Sequence, residues 1–210
     1  MDYCQSWLEQ RGISVFRQQY HEDKLTHFSG ENLLAVAEGD PGGPTICLNG
    51  HLDTVPVCDG WTRDPYVGVI EGDLFYGLGA VDMKSGCLAA MLAFDRLAHA
   101  AQPFYGKLIL TLVSDEEGPY GLGCNALIED GLLAGVDCSI SIEPTAAFAG
   151  YSDAPCISLG ARGAYIYQVD FHGQAAHASQ PELGLNAAEQ ASHFVLAATA
   201  SQPQLMGRLG

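Results

Sequence analysis

The segment from Thr45 to Pro56 constrains the fold of this chain more than any other. An apolar run, Thr45-Ile46-Cys47-Leu48, leads through Asn49 into Gly50-His51-Leu52-Asp53-Thr54-Val55-Pro56. The run reads as a buried strand, and in a strand residues two apart point the same way. His51 and Asp53 therefore project together where the strand gives way to a loop. A carboxylate beside an imidazole is a common means of building and orienting a metal ligand. Alone, such a pair is more often a hydrogen-bonded surface feature. It gains weight from three further acidic motifs: Gly77-Leu78-Gly79-Ala80-Val81-Asp82, Ser114-Asp115-Glu116-Glu117-Gly118 and Glu143-Pro144-Thr145. Each falls at the end of a predicted strand or in a loop.

The remaining pattern supplies the frame. Asp2 to Arg11 reads as a helix, with Cys4, Trp7, Leu8 and Arg11 at helical spacing and Gly12 to end it. Ile13–Phe16, Asn32–Ala37 and Thr45–Leu48 read as strands, and Asp40-Pro41-Gly42-Gly43-Pro44 as a turn. Tyr66–Ile70 and Leu74–Tyr76 form a predicted hairpin around Glu71-Gly72-Asp73. A glycine-rich loop, Gly77–Met83, precedes a long helix over Lys84–Ala101. Lys107–Val113 and Cys138–Ile142 are predicted strands, with a helix over Gly121–Glu129 between them. Strands alternating with helices define an α/β sheet covered on both faces, whose sites gather beyond the carboxyl ends of its strands. The pattern changes near Gly160. Cys156–Gly163 reads as a crossing segment, Ala164–Phe171 as a strand, His172–Ser179 as a loop and Gly184 to about Ala200 as a helix. Two parts follow, residues 1–159 and residues 160–210.

Composition excludes several classes. The 210 residues carry nine Lys and Arg against 25 Asp and Glu, a net charge of -16. Nucleic-acid and anionic membrane surfaces call for clustered Lys and Arg, so neither is an expected partner. No apolar run approaches the ~18 residues of a membrane span, and the N-terminus lacks the basic and apolar regions of a signal peptide. The seven cysteines are scattered, odd in number and free of any Cys-x-x-Cys pair. They read as reduced, mostly buried thiols of a cytoplasmic protein.

His51, Asp82, Glu117 and Glu143 form a candidate ligand set. Imidazole nitrogen with carboxylate oxygen suits zinc, cobalt or manganese. Asp82, on a glycine-rich loop that lets backbone approach a crowded site, is a candidate bridge between two ions. Glu116 and Glu117 are adjacent, so their side chains leave the backbone in different directions. One can bind metal while the other reaches a metal-bound water as general base. Five carboxylates in one place, Asp53 included, would resist ionisation unless cations were present. The Gly-rich loop does not fit the Gly-x-Gly-x-x-Gly spacing, and no Walker-type Gly-Lys-Ser/Thr follows, so a nucleotide site is not indicated.

The ordered set of motifs resembles the dizinc amidohydrolase family of acetylornithine deacetylase, succinyl-diaminopimelate desuccinylase, aminoacylase and carboxypeptidase G. The matching pieces are residues 50–56, Trp61-Thr62-Arg63-Asp64-Pro65-Tyr66, residues 74–86, 114–118 and 143–145, and His172-Gly173-Gln174-Ala175-Ala176-His177-Ala178-Ser179. The resemblance implies a zinc-peptidase-like mixed sheet flanked by helices, followed by the start of an α+β lid and dimerisation domain. It implies that His51 binds one metal, Asp82 bridges two, Glu117 and Glu143 each serve one metal, Asp53 orients His51, and Glu116 is general base and acid. It implies a cis peptide after Asp82. It also implies that His177 of the lid reaches a partner subunit's active site and stabilises the tetrahedral intermediate. The expected reaction is hydrolysis of the amide bond of a small N-acyl amino acid, of the acetylornithine type, or of a short peptide. The expected assembly is a homodimer formed through the lid.

The family's last metal ligand is a histidine in a returning C-terminal segment, whereas this sequence stops at Gly210. The expectation is thus of the N-terminal portion of such a protein, both domains being incomplete. The alternatives are an inactive fragment that binds metal or a partner chain, and a subunit completed by a separate C-terminal polypeptide. His172 is expected to be structural. His21, His27, His99 and His193 have no matching partners.

Overall fold

The sheet is built around the most apolar stretch of the chain. Leu108 to Val113 is buried along its whole length, and a strand apolar on both faces has to be covered on both. In the computed structural model, which describes residues 1–24, 26–118, 121–145, 157 and 167–209, this stretch belongs to β6 (Tyr105–Val113). It is joined by β1 (Val15–Glu22), β2 (Phe28–Glu38), β3 (Asp40–His51) and β7 (Cys138–Ser141). The five strands lie in the order β1-β2-β6-β3-β7. β1 and β2 are antiparallel, as are β2 and β6. β3 runs parallel to both β6 and β7, so the sheet is mixed. A separate hairpin, β4 (Val69–Glu71) with β5 (Leu74–Tyr76), turns through Gly72-Asp73, and Gly72 takes the positive φ of +60° that such a turn requires.

Because β6 inserts between β2 and β3, the chain between those strands crosses the start of β6. The N–H groups of Gly39 and Asp40 donate to the carbonyls of Gly106 and Phe104, each at 2.8 Å. The expected turn at Asp40–Pro44 is therefore not a turn. It is the opening of β3, bulged between Asp40 and Thr45, with Gly42 at a φ of +98°. A side chain at Gly43 or Gly106 would run into the facing main chain, so the glycines serve close strand approach.

Helices cover both faces. On one side α1 (Asp2–Glu9) and α2 (Ser85–Ala98) bring Leu8, Cys87, Ala90, Met91 and Phe94 against Leu33, Ala35, Leu48, Leu108, Leu110 and Leu112. On the other, α3 (Leu122–Glu129) sets Leu127 against Leu34 and Val113. The alternation Leu33/Leu34 and Leu112/Val113 divides the sheet's side chains between the two cores, as the period of two dictates. A buried polar chain also anchors α3. Asn32 Nδ2 donates to Gln18 Oε1 and to the Gly123 carbonyl, both at 2.8 Å, while Gln18 Nε2 reaches the Ala126 carbonyl at 2.9 Å and Asp130 Oδ2 at 2.6 Å. The six described cysteines are free. Only Cys47 and Cys87 are fully buried, and Cys58 and Cys138 are exposed, which corrects the expectation of mostly buried thiols.

The chain divides into two compact units, Met1–Ser158 and Leu159–Gly210. In the second, Asn186 Oδ1 accepts the N–H groups of Ala188 and Glu189 and so caps α4 (Ala187–Leu209). The helix starts later and runs further than the expected Gly184–Ala200. The predicted strand Ala164–Phe171 falls partly outside the described residues. Its described part, 167–171, is not part of a strand. A single antiparallel bridge, Gln174 to Leu185, follows it. The Cys156–Gly163 segment, Ile157 aside, lies outside the described residues. Among the described residues no helix is long and apolar enough to cross a membrane.

Phe94 is wholly buried at the centre of the larger core. Phe94→Ala is expected to cost about 3–5 kcal/mol of unfolding free energy. Val36→Ala, at a half-exposed position, should cost less than ~1 kcal/mol. Urea denaturation of the two variants checks the contrast.

Candidate metal centre

His51 is the last residue of β3, and its ring is 1% exposed. The ladder holds its backbone on the β6 side, where the Leu52 N–H donates to the Val113 carbonyl at 2.9 Å. Its Nδ1 faces the main-chain oxygen of Asp53 at 3.2 Å and the carboxylate Oδ1 of Asp53 at 3.4 Å. Its Nε2 looks into a ring of acids, with Asp82 Oδ1 at 3.2 Å, Glu143 Oε1 at 3.6 Å and Glu116 Oε2 at 3.8 Å.

Each acid arrives on a different element. Asp82 sits in a wide helical turn, Ala80–Lys84, closed by the Lys84 N–H on the Gly79 carbonyl at 2.9 Å. The segment expected as a plain glycine-rich loop is thus partly wound. Asp82 itself keeps an extended conformation, φ -112° and ψ 102°, and the Asp82–Met83 peptide is cis, as the family resemblance implies. Glu116 and Glu117 follow β6, and Glu143 follows β7. One donor atom from each of His51, Asp82 and Glu117 lies within 4.8 Å of the other two. No other such trio occurs among the described residues. The structure therefore gathers His51, Asp82, Glu116, Glu117 and Glu143 at one end of the sheet, with Asp53 behind them. His177 lies in the second unit, exposed, where its Nδ1 accepts the Ser179 N–H at 3.2 Å and meets Ser179 Oγ at 2.8 Å.

Asp53 has a task that motif reading did not reveal. Its Oδ2 accepts the main-chain N–H groups of both Glu116 and Glu117, each at 3.0 Å. One carboxylate thereby ties the His51 loop to the Glu116–Glu117 loop. Asp115 braces that loop from the other side. Its Oδ2 accepts the Leu122 N–H at 2.9 Å and its carbonyl accepts the Gly123 N–H at 3.0 Å, fastening it to the start of α3. Neither link has a sequence signature beyond an Asp before a helix.

The first turn of α2 was also not foreseen as part of the site. A Cβ on Gly86 would fall well inside contact distance of the Ile142 carbonyl oxygen, so the helix start lies directly on the chain that enters Glu143. The buried thiol of Cys87 donates to the main-chain oxygen of His51 at 3.0 Å. Burial pushes this thiol up to about 12, so it stays protonated at neutral pH.

The acids crowd one another. Burial and the neighbouring Asp82 carboxylate raise Glu117, and burial with Asp82 and Glu116 also raises Glu143, although His51 pulls it down. Asp53 is lowered: burial opposes its charge, but His51 and the two main-chain N–H donors outweigh it. Burial opposes a proton on His51, yet Asp53, Glu143 and Glu116 together raise the ring to about 9. A histidine nitrogen with several carboxylates, one like charge raising the next, is a donor set that fits a divalent cation.

An α/β sheet that gathers such a set beyond its strand ends defines a metal-binding class. The comparisons make the class specific. The model for Peptidase family M20/M25/M40 matches residues 47–207, and the chain belongs to this metal-dependent family. The succinyl-diaminopimelate desuccinylase of Sulfurovum sp. (strain NBC37-1) is 38% identical over 182 residues, 83% of this chain and 47% of the relative. That of Rhizorhabdus wittichii is 36% identical over 158 residues, 74% of this chain and 40% of the relative. The chain spans about half the length of the curated relatives it matches. Human carnosine dipeptidase 1 aligns with a TM-score of 0.55 at 28% identity, over 67% of this chain and 31% of that one. A tripeptidase from Staphylococcus aureus shares the fold, with a TM-score of 0.57 at 20% identity over 93% of this chain and 49% of its own.

Two predictions follow from this geometry. Gly86→Ala forces a methyl against the Ile142 carbonyl, so the variant should unfold at lower denaturant and take up divalent metal at least ~10-fold more weakly; equal affinity would show that this contact does not place Glu143. The second concerns protons. With His51 raised to about 9, the metal-free fold draws stability from the charged ring below about pH 6.5 and loses it as pH rises through about 9. Only the neutral ring binds metal. Metal uptake at about pH 7.5 should therefore release close to one proton from His51, fading above about pH 9. Calorimetry in buffers of different ionisation enthalpy counts that proton, and its absence from the count would remove His51 as a ligand.

Proposed function

We propose that the chain is the metal-binding part of an amide hydrolase that removes the acyl group from a small N-acyl amino acid. One observation carries the reading: donor atoms of His51, Asp82 and Glu117 come within 4.8 Å of one another, and Glu116 stands beside them. Residues 1–159 would form the catalytic domain, and residues 160–210 the beginning of a lid through which two copies pair. His51, Asp82, Glu117 and Glu143 would hold two divalent ions, zinc by the borderline character of the donors, with Asp82 shared between them. When bound, such ions supply a water of lowered pKa and polarise the scissile carbonyl.

The chain's own residues then have defined tasks. Asp53 fixes the ring of His51 through Nδ1 and holds the Glu116–Glu117 loop through its two N–H groups. Glu116, 47% exposed at its side chain and adjacent to a ligand, takes a proton from the attacking water. It returns that proton to the amine nitrogen as the C–N bond breaks. His177 accepts a hydrogen bond at Nδ1, which leaves Nε2 to donate to the developing oxyanion. In the paired form this donor would come from a second copy.

The motif set favours an acetylornithine-type substrate, whereas the relatives carry the name succinyl-diaminopimelate desuccinylase. Both are N-acyl amino acids, and short peptides present the same bond. The six described cysteines are free, which supports a cytoplasmic setting.

The test is the metal-loaded chain against N-acetyl-ornithine, an N-succinyl amino acid and a dipeptide. Glu116→Gln should keep its metal content while turnover falls by about 10²–10⁴-fold. Undiminished turnover would remove Glu116 as the base. Metal uptake with no turnover on any of the three substrates overturns the hydrolase reading, and no metal uptake overturns the metal centre with it.

A further inference from the structure

The carbonyl of His51 poses a problem that the sheet does not solve. In the β3–β7 ladder, the N–H of Ile142 donates to the Asn49 carbonyl, and Asn49 pairs with Ser141. Continuing that register by two residues sets position 144 opposite the His51 carbonyl. Position 144 is proline, which has no N–H to give. The residue that carries the imidazole is thus the point where strand pairing on this side runs out of donors, and a buried carbonyl without a partner is costly.

Cys87 fills the gap. Its thiol is 2% exposed, its Sγ lies 3.0 Å from the His51 carbonyl oxygen, and it sits in the first turn of α2, whose start follows Asp82 by three residues. The space around the sulfur is closed. A Cβ added at Gly50 would come within 2.8 Å of it and within 3.2 Å of Met83 Cε. The sulfur and the methyl of Met83 thus both close on the glycine before His51. A buried cysteine usually serves as a small apolar filler; this one is aimed at a main-chain acceptor.

We propose that Cys87 is a positioning residue that sets the backbone of His51 for metal binding, by an S–H bond standing in for the missing ladder donor. It touches no ion and no substrate. It acts through the carbonyl of the residue whose ring does, and it couples His51 to the helix that follows the Asp82 turn. The proposal rests on the metal reading given above.

Cys87→Ala, Cys87→Val and Cys87→Ser separate the roles of a cysteine here. Serine keeps a donor, valine keeps volume without one, and alanine keeps neither. Cobalt(II) serves as the probe, its affinity measured by chelator competition and its ligand field by visible absorption. The alanine and valine variants should bind about 10–100-fold more weakly, the range found for groups that orient metal ligands, with an altered cobalt spectrum. The serine variant should stay within about threefold of the parent. The infrared S–H band that disappears in Cys87→Ser should lie below that of a free thiol in the metal-free parent. Equal affinities in parent, alanine and valine variants, or an unshifted S–H band, overturn the proposal and leave the metal reading intact. If valine binds as tightly as the parent and alanine does not, packing and not donation is at work, and the proposal fails. A parent chain that takes up no cobalt brings down the metal reading and this proposal together.

Discussion

The start of α2 is where the geometry of this molecule is decided. Within six residues the chain presents Asp82 and lays Gly86 on the carbonyl that leads into Glu143. It also points Cys87 at the carbonyl of His51. Three candidate ligands from three separate elements are thus referred to one rigid turn. That turn is buried against the sheet by Met83, Cys87, Ala90, Met91 and Phe94. Core packing and site geometry are here the same set of contacts. A side chain on Gly86 would separate β7 from α2, and no adjustment of Glu143 alone could close the gap. The glycine is needed because main chain meets main chain there, whatever its own backbone angles.

Asp53 plays the matching part on the other face of the site. It is lowered despite partial burial because it receives two main-chain N–H groups and the His51 ring at once. The same carboxylate that faces the His51 ring at 3.4 Å therefore fixes the height of the Glu116–Glu117 loop. With Asp115 fastening that loop to α3, each acid is held by its backbone while its side chain stays free to adjust. This division suits a metal centre. His51 is 1% exposed, while the side chains of Asp82, Glu116 and Glu143 are 36–56% exposed. The stiff, buried imidazole defines the origin, and the carboxylates around it have room to adjust.

Much of this was legible in the sequence, for reasons that can be given residue by residue. His51 and Asp53 were readable as a pair because strand period forces them to one side, and Glu116, Glu117 and Glu143 because apolar runs stop just before them. The central strand and the long helix of the first unit were readable because Leu108–Val113 and Ser85–Ala98 are long and strongly patterned, whereas β1 runs over Val15–Glu22 and not the expected Ile13–Phe16. What escaped was whatever depends on neighbours distant in sequence. The Asp40–Pro44 segment carries every local mark of a turn, yet it is bulged strand because β6 lies alongside it. The link from Asp53 to the main chain of Glu116 and Glu117 spans more than sixty positions. It uses N–H groups, which no sequence pattern marks. Cys87 looked like one of several scattered thiols, since its partner is a carbonyl and the reason that carbonyl needs one is a proline 57 residues further on.

The charge balance draws these pieces together. The chain is acidic throughout, at a net charge of -16, and acidity of that kind ordinarily spreads over a solvated surface. At the strand ends it does the opposite. Asp82, Glu116, Glu117 and Glu143 converge on one imidazole, and two of them are raised as a result. With no cation, the ring at about 9 is the positive group that the described structure sets against them. A single imidazolium can offset one carboxylate, which leaves the remaining acids in mutual repulsion on loops held rigidly from behind. Loops under such repulsion would relax outward if their backbones were free. They are held by Asp53, Asp115, Gly86 and Cys87, so the repulsion persists as an attraction for divalent cations. The backbone restraints and the clustered charge are therefore two halves of one arrangement, and neither has a physical rationale without the other.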